Sequence, residues 1–288
     1  AGDGLVYRGA SAGLVIVELA GDGPKLYERA ALYLPGAATD VVAAGDTAYV
    51  ALGPVGVVAV DVRDPAASRA LALVETDGAA LRLDLRGDRL LVADGAAGVL
   101  LLDVSDPGAP CPRGRWRSRG YVRHAIFDGE RVLVADGREG VELLEPRGAG
   151  FELIWRHGAG EGQARAVAAR GDLVLVADGP NGVAALERGG AGEPRERGRL
   201  SLADMARDVA FVAGGAVAYA AIGDDGVAVI DLADPSALSL ATAHATERPA
   251  NRVVPAGDRL FVGNDSAGMT VLDVREPAAP RPLYPPAD

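Results

Sequence analysis

The apolar residues of this chain fall into short runs, and residues that favour turns separate the runs. The stretch 165–186, RAVAARGDLVLVADGPNGVAAL, shows the pattern most clearly. Its Gly-Asp pair at 171–172 and its DGPNG segment at 178–182 predict two chain reversals, because Gly accepts positive φ, Pro restricts φ, and Asp or Asn bonds its own backbone. The apolar runs between these turns have the length of strands. The stretch therefore predicts three consecutive strands, at 166–169, 173–177 and 183–186.

The strands differ in how deeply they are expected to be buried. The run LVLV at 173–176 has no polar residue at alternate positions. A strand with one solvated face usually alternates polar and apolar residues, so this strand is predicted to be covered on both faces. A fourth strand follows in each repeat, for example at 69–74 or 113–118, and its polar alternation predicts a half-solvated outer edge.

Two glycines recur at a nearly constant spacing. The glycine that opens the third strand returns every 42 to 44 residues, at Gly13, Gly56, Gly98, Gly140, Gly182, Gly226 and Gly268. The glycine of the first hairpin keeps step with it, at Gly2, Gly45, Gly87, Gly129, Gly171, Gly215 and Gly257. A repeat of about 42 residues that contains only strands is typical of a β-propeller rather than of a solenoid with helices. We predict an all-β fold, a seven-bladed β-propeller whose blades are four-stranded antiparallel sheets.

The repeats predict a single β-propeller domain over residues 1–288. Its units lie near 1–38, 39–80, 81–122, 123–164, 165–206, 207–250 and 251–288. The first unit opens at the hairpin Gly2-Asp3 and so lacks an inner strand, while the tail at 282–286 offers at best a short outer strand. The way the ring closes is left open. Residues upstream of Ala1, pairing of the C-terminal tail, or another chain on the open edge would each complete it.

The third strands carry a family resemblance. The segment LVIVE at 14–18 nearly spells the signature of the LVIVD repeat, and its variants are VVAVD at 57–61, VLLLD at 99–103, VAVID at 227–231 and MTVLD at 269–273. The chain therefore resembles LVIVD-repeat proteins over essentially its whole length. The resemblance implies a propeller fold, an extracytoplasmic location in bacteria or archaea, and no shared enzymatic activity.

Charge and composition narrow the classes of partner. The net charge is −11, from 40 Asp and Glu against 29 Lys and Arg, and it disfavours nucleic acid because phosphate binding needs clustered cations. No apolar run approaches the roughly 20 residues of a membrane span. The single cysteine, Cys111, excludes an internal disulfide. The chain starts at Ala1 without a methionine, which fits removal of a signal peptide and equally fits an excerpted domain.

The candidate ligand-binding residues lie where inner strands are expected to begin, at the mouth of the central channel. Arg123, Arg165 and Arg207 occupy matching places in their repeats and could hold a carboxylate or phosphate by bidentate hydrogen bonds. Four neighbours that break the repeat are further candidates: His124, Asp208, Asn251 and Arg252. The alternative is structural, an ion pair inside each blade between Arg123 and Asp136 and between Arg165 and Asp178.

No recognisable catalytic or metal-binding motif accompanies these residues. The three histidines, His124, His157 and His244, have no metal-ligand spacing, and none is near the cysteine. Asp-x-x-Asp-Pro segments, as at 61–65, are explained by Asx turns and a strand-ending proline rather than by calcium. The Arg-Gly-Asp triplets at 86–88 and 170–172 coincide with the repeated hairpin. We expect no metal and no cofactor, and we assign no catalytic residue.

The sequence favours a non-enzymatic extracytoplasmic β-propeller that acts as a protein-binding, scaffold or self-assembly module. This interpretation rests on the repeat architecture, the unclosed edge and the lack of catalytic groupings. Two alternatives stay open. The first is a site for a small anionic ligand or saccharide at the channel mouth, and the second is a hydrolase or lyase with its site at the same mouth, for which His124 is the one candidate base.

Overall fold

The computed structural model describes residues 5–19, 26–158, 162–189, 192–212, 214–264 and 268–283. The predicted hairpin at Gly2-Asp3 and the tail beyond 283 lie outside these residues. The chain divides into two compact units. The first unit is Ala1–Leu133 with Leu144–Leu153, and the second is Val134–Leu143 with Ile154–Asp288. In the described part of the chain no helix has the length and apolar character needed to cross a membrane.

The described residues form strands joined by turns and loops, with one 3-10 helix at Pro65–Ala67. The strands of the first half are β1 (Leu5–Ala10), β2 (Gly13–Leu19), β3 (Leu26–Tyr33), β4 (Asp40–Ala44), β5 (Thr47–Ala51), β6 (Val57–Asp61), β7 (Arg69–Val74), β8 (Arg82–Arg86), β9 (Arg89–Ala93), β10 (Val99–Asp103), β11 (Cys111–Trp116), β12 (His124–Asp128), β13 (Arg131–Ala135), β14 (Val141–Arg147) and β15 (Gly150–His157). The strands that follow are β16 (Ala166–Arg170), β17 (Leu173–Ala177), β18 (Val183–Glu187), β19 (Arg195–Leu200), β20 (Asp208–Phe211), β21 (Val217–Ala221), β22 (Val227–Asp231), β23 (Ser239–His244), β24 (Ala250–Ala256), β25 (Arg259–Asn264), β26 (Gly268–Asp273) and β27 (Arg281–Pro282).

The strands pair mainly with their sequence neighbours, and the described residues form six sheets. Four sheets have four strands each, in the orders β4-β5-β6-β7, β16-β17-β18-β19, β20-β21-β22-β23 and β24-β25-β26-β27. A fifth sheet has eight strands, in the order β12-β13-β14-β15-β11-β10-β9-β8, because β15 adds to β11 in parallel through Gly150 and Arg115. The predicted all-β class and four-stranded antiparallel sheets are confirmed. The number of blades is not decided by this count of sheets.

The two ends of the chain match the predicted irregularities. The sixth sheet, β1-β2-β3, has three strands, and β27 extends over two residues.

Within the repeats the predicted strand bounds are close to the observed ones. Strand β7 occupies the predicted 69–74, whereas β11 begins two residues before the predicted start, because Asp103 at the end of β10 pairs with Cys111.

In the repeat formed by β16 to β19, the second and third strands, β17 and β18, are the most deeply buried, with four buried residues each. In β17 the consecutive residues Val174, Leu175, Val176 and Ala177 are all buried. Successive side chains of a strand point to opposite faces, so both faces of β17 are covered, as the unbroken apolar run predicts. In the second unit Leu175 and Ala177 belong to a cluster that also contains apolar residues of β20, β21 and β22. The core therefore joins neighbouring repeats as well as the strands within one repeat.

Glycine is needed at the two recurring positions for different physical reasons. Gly171, in the hairpin between β16 and β17, has φ of 57° and open space around its Cα, so only its backbone conformation favours glycine there. Gly182 also has positive φ, and a Cβ at this position would lie 2.0 Å from the backbone oxygen of Leu200. The close approach of β19 therefore requires glycine at the start of β18.

Candidate functional site

A backbone bridge fixes the three residues that lead into an inner strand. We call residues 121–123, 163–165, 205–207 and 249–251 the lead-in segments. The central residue of each is buried and bridges a glycine of a turn between two other strands, in the pairs Gly95 with Val122, Gly137 with Ala164, Gly179 with Ala206 and Gly223 with Ala250. The first pair lies in the first unit and the other three lie in the second. The third residue of the segment is Arg123, Arg165, Arg207 or Asn251.

In the first unit the lead-in segment brings Tyr121 and Arg123 together. Val122 is fully buried, and its backbone N–H donates to Gly95 O at 3.0 Å. Because side chains alternate along extended backbone, Tyr121 and Arg123 lie on the face opposite to Val122. The guanidinium carbon of Arg123 lies over the Tyr121 ring, 5.3 Å from its centroid. Tyr121 is 39% exposed, and Arg123 is half-buried beside it.

The guanidinium of Arg123 has no polar partner in the described part of the chain. No hydrogen bond or ion pair joins it to the described residues, and its Nε is buried without a hydrogen bond. The Nε atoms of Arg165 and Arg207, at the same repeat position, are also buried without a hydrogen bond, so Arg123 differs from them only in having no other polar partner. A guanidinium also presents its N–H donors in a fork that matches carboxylate and phosphate. Arg123 is therefore suited to bind an oxyanion.

In the second unit the equivalent arginines have polar neighbours. Arg165 Nη2 donates to Gln163 Oε1 at 3.5 Å, a weak hydrogen bond across the buried Ala164. Arg207 Nη1 donates to Asn251 Oδ1 at 2.5 Å, which brings two of the predicted ligand-binding residues into contact. Side-chain amides thus orient both guanidinium groups of this unit.

A carboxylate that the sequence analysis did not name accompanies Arg207. The pKa of Asp204 is lowered by hydrogen bonds from the backbone N–H groups of Met205 and Asp224, and also by the charge of Arg207. A Cβ at Gly223 would lie 2.2 Å from Asp204 Oδ2 and 3.1 Å from Arg207 Nη2, so both groups lie beside this glycine. The nearby anion offsets part of the charge of Arg207.

Asp208 is buried and joins two neighbouring inner strands. It is 3% exposed, and its Oδ2 accepts a hydrogen bond from the backbone N–H of Val253 at 3.0 Å. The same arrangement recurs in the first unit, where Asp40 accepts from Leu83 N–H at 2.9 Å and Asp84 from Phe127 N–H at 2.7 Å. Each carboxylate joins the inner strand of one repeat to that of the next repeat. The break in the repeat at Asp208 is thus explained by contacts between β20 and β24.

The remaining predicted site residues are partly or fully enclosed. His124 is 8% exposed, and it follows Arg123 directly, so its side chain lies on the opposite face of the extended backbone. Asn251 and Arg252 are half-buried at the start of β24. The structure therefore leaves Arg123 more accessible than its neighbour His124.

The aspartates that directly follow the second strands β9 and β17 form internal contacts. In the second unit Asp178 Oδ1 accepts from Gln163 N–H at 2.8 Å, and Asp178 Oδ2 lies 2.7 Å from Nη1 of Arg199 in β19. In the first unit Asp94 accepts from Gly78 N–H at 3.2 Å, and burial raises the pKa of its carboxyl. The partner of Asp178 is thus Arg199, whereas its repeat position predicted Arg165. Spacing alone does not indicate that the outer strand supplies an arginine to this turn.

Tyr121 is the residue of this site that the sequence analysis missed. A signal for it exists, because Tyr121 and Arg123 flank the apolar Val122 in an alternating pattern. The pattern covers three residues and is too short to indicate a site without the bridge to Gly95.

The sequence and structure comparisons identify the repeat and the fold. The LVIVD repeat family matches residues 35–74, 77–116 and 204–246. A search of curated protein sequences gave no significant match. A crystal structure from Bacteroides uniformis, named "putative 6-phosphogluconolactonase", is 15% identical with a TM-score of 0.84, and the match covers 98% of this chain and 96% of that one.

Two further crystal structures have the same fold. A protein of the same name from Bacteroides fragilis is 14% identical, with a TM-score of 0.77 over 98% of this chain and 94% of that one. The Cps50 (Swd1) β-propeller domain of Myceliophteria thermophila is 13% identical, with a TM-score of 0.72 over 94% of each chain. At these identities the likeness shows a fold shared with β-propeller domains and does not transfer an activity.

These findings correct the main functional prediction, a non-enzymatic protein-binding, scaffold or self-assembly module. Two of the similar structures are named for an enzyme that acts on a small molecule. The physical reason for the wrong interpretation lies in the site: the sequence shows no catalytic motif, whereas the structure places the guanidinium of Arg123 on the exposed ring of Tyr121.

Proposed function

This chain is an LVIVD-repeat protein, and we propose that it binds a small molecule bearing an oxyanion, with Arg123 as the principal contact. The observation that carries the proposal is the contact between the exposed Tyr121 ring and the half-buried Arg123, whose guanidinium forms no ion pair with the described residues. A charge-assisted hydrogen bond from arginine to carboxylate or phosphate would satisfy those donors. Arg165, Arg207, Asn251 and Arg252 stay secondary candidates, since amides or carboxylates already contact two of them.

Arg123→Gln tests the proposal directly. Hydrogen bonds to charged groups contribute about 1.5–3 kcal/mol, so we expect the variant to bind glucuronate or inorganic phosphate at least about tenfold more weakly. The dissociation constants can be measured by calorimetry or by NMR titration. Arg113→Gln is the matched control, because Arg113 is an exposed arginine of β11 that pairs with Asp103. Equal affinities of the wild type and Arg123→Gln, or equal losses in both variants, would refute the proposal.

Hydrolysis of a lactone is the second candidate function. It is favoured by the names of the two Bacteroides structures. Opening a lactone places negative charge on an oxygen, and a positioned guanidinium such as Arg123 can stabilise that charge. His124, the one histidine that the sequence analysis considered as a base, is enclosed at 8% exposure. We expect acid release from 6-phosphogluconolactone above the spontaneous rate, measured at constant pH, and a loss of turnover in Arg123→Gln. A rate equal to that without protein would exclude this function.

Two structural and cellular proposals accompany the function. The seven sequence repeats support a seven-bladed propeller, which class averages from electron microscopy would test. The family resemblance supports an extracytoplasmic location, which cell fractionation would test. A protein partner stays a prediction.

A further inference from the structure

We infer that the Tyr121–Arg123 site selects an oxyanion carried on a ring, such as a sugar acid, over the same oxyanion without a ring. The inference rests on the proposed binding function and names the class of ligand for that site. It assigns Tyr121 as the residue that determines this specificity.

The first support is the exposure of Tyr121 beside a cation. The described residues expose six large apolar or aromatic side chains: Tyr27, Tyr33, Leu73, Tyr121, Leu240 and Val254. Of these, Tyr121 has a guanidinium stacked on its ring. Ligand sites combine apolar and aromatic surface with a few polar groups that orient the ligand. Tyr121 provides the aromatic surface, and Arg123, in contact with it, provides the polar group.

The second support is that the Tyr121 ring is held in place. Gly95 has φ of 54°, and a Cβ at this position would lie 3.1 to 3.3 Å from Cζ, Oη and Cε2 of the tyrosine. The hydroxyl end of the ring therefore rests against the glycine of the turn. The bridge between Val122 and Gly95 fixes the backbone at the same place. A ring that is already positioned loses little conformational entropy when a ligand packs on it.

The third support is that the aromatic residue is particular to this repeat. The first position of the lead-in segment holds Tyr121 in one repeat, Gln163 in the next and Met205 in the one after that. The arginine recurs at the third position in all three. An amide or a thioether does not provide a flat aromatic face, so ring recognition is expected at Tyr121 alone among these three segments.

Matched ligands and matched variants test the inference. Acetate carries a carboxylate without a ring, and glucuronate carries a carboxylate on a sugar ring. We expect the wild type to bind glucuronate at least about tenfold more tightly than acetate in NMR titrations. In Tyr121→Leu the glucuronate affinity should fall about tenfold while the acetate affinity changes less than about twofold. Tyr121→Phe keeps the ring and should retain the preference, and Tyr33→Leu, which removes a tyrosine that is 83% exposed in β3, should leave it unchanged.

The outcomes separate this inference from the proposed function. Equal affinities for acetate and glucuronate in the wild type would overturn the inference, and so would a Tyr121→Leu variant that weakens both ligands equally. If Arg123→Gln still weakens both ligands in that case, the proposed oxyanion site stands without ring selection. Failure of the wild type to bind either ligand would overturn both. Melting temperatures of all variants, with Tyr121→Phe as the conservative rescue, exclude loss of folding as the cause.

Discussion

The backbone N–H of Gln163 donates to Asp178 Oδ1 at 2.8 Å and thereby ties the turn after β17 to the lead-in segment before β16. In the following repeat the turn and the lead-in region are joined by a similar hydrogen bond, but the donor and the acceptor are exchanged. There the carboxylate belongs to Asp204 of the lead-in region, and the N–H belongs to Asp224 of the turn, with a distance of 2.8 Å. The exchange is required by space, because a Cβ at Gly162, the position that corresponds to Asp204, would lie 2.0 Å from Asp178 Oδ1.

Gly162→Asp is therefore expected to destabilise the protein. The new side chain would collide with the Asp178 carboxylate and place two like charges together, and overpacking of this kind costs about 1–3 kcal/mol. We expect a lower melting temperature and a lower urea midpoint. The double variant Gly162→Asp with Asp178→Ile copies the sixth repeat, where Ile222 follows β21, and should recover part of the loss. Additive losses in the double variant would contradict the exchange of roles.

Asp208→Ala should destabilise the contact between β20 and β24 without affecting oxyanion binding at Arg123. The substitution leaves the buried backbone N–H of Val253 without its acceptor, and an unsatisfied buried group costs about 1–3 kcal/mol. Urea unfolding measures the change in free energy, and hydrogen exchange reports on the amide of Val253. Asp208→Asn is the control, since its side-chain oxygen can still accept. If the Val253 amide exchanges no faster in either variant than in the wild type, the hydrogen bond from Val253 to Asp208 does not contribute to stability.

Arg156→Met should destabilise the second unit strongly because it removes the partner of a buried carboxylate. Glu142 is fully buried in β14, and Arg156 donates to its Oε1 through Nε at 2.9 Å and Nη2 at 2.5 Å. Breaking a buried pair costs about 3–5 kcal/mol, whereas replacing both partners by apolar residues is often neutral or stabilising. The double variant Glu142→Leu with Arg156→Met should therefore be more stable than Arg156→Met alone in thermal unfolding.

The other repeats make this replacement reasonable. The corresponding second residue of the strand is Leu100 in β10 and Ala184 in β18, both buried. A double variant that is no more stable than Arg156→Met would show that Glu142 has stabilising contacts beyond its arginine.

Asp273 should titrate at an unusually low pH. Hydrogen bonds from the side chain and the backbone N–H of Arg275 lower its pKa to about 2, from an ordinary value of 3.8. A carboxylate with a lowered pKa stabilises the folded state above its ordinary pKa, and the contribution is lost as the pH falls from about 4 to about 2. A carbon-detected NMR titration of the carboxyl group measures the midpoint. Arg275→Gln should move that midpoint upwards, and an unchanged midpoint would exclude Arg275 as the cause.

Much of the local structure could be predicted from the residues themselves. The apolar run 173–176 and the glycines 171 and 182 placed β17 and both of its turns, because period, burial and positive φ are properties of a few neighbouring residues. The candidate site was predicted in part. Arg123 was named from its repeat position, whereas its aromatic neighbour Tyr121 was missed, because the contact depends on a bridge to Gly95, 26 residues earlier along the chain.

The sequence by itself determined that this chain folds as strand-only repeats of about 42 residues, because turn residues and apolar runs recur at that spacing. Only the tertiary structure decided which charged residues are internal and which are available. Asp178 pairs with Arg199, Asp208 holds the backbone of β24, and the Arg123 guanidinium forms no hydrogen bond or ion pair within the described residues. The physical reason is that polar groups separated by 21 to 45 positions along the chain meet only once the sheets have packed.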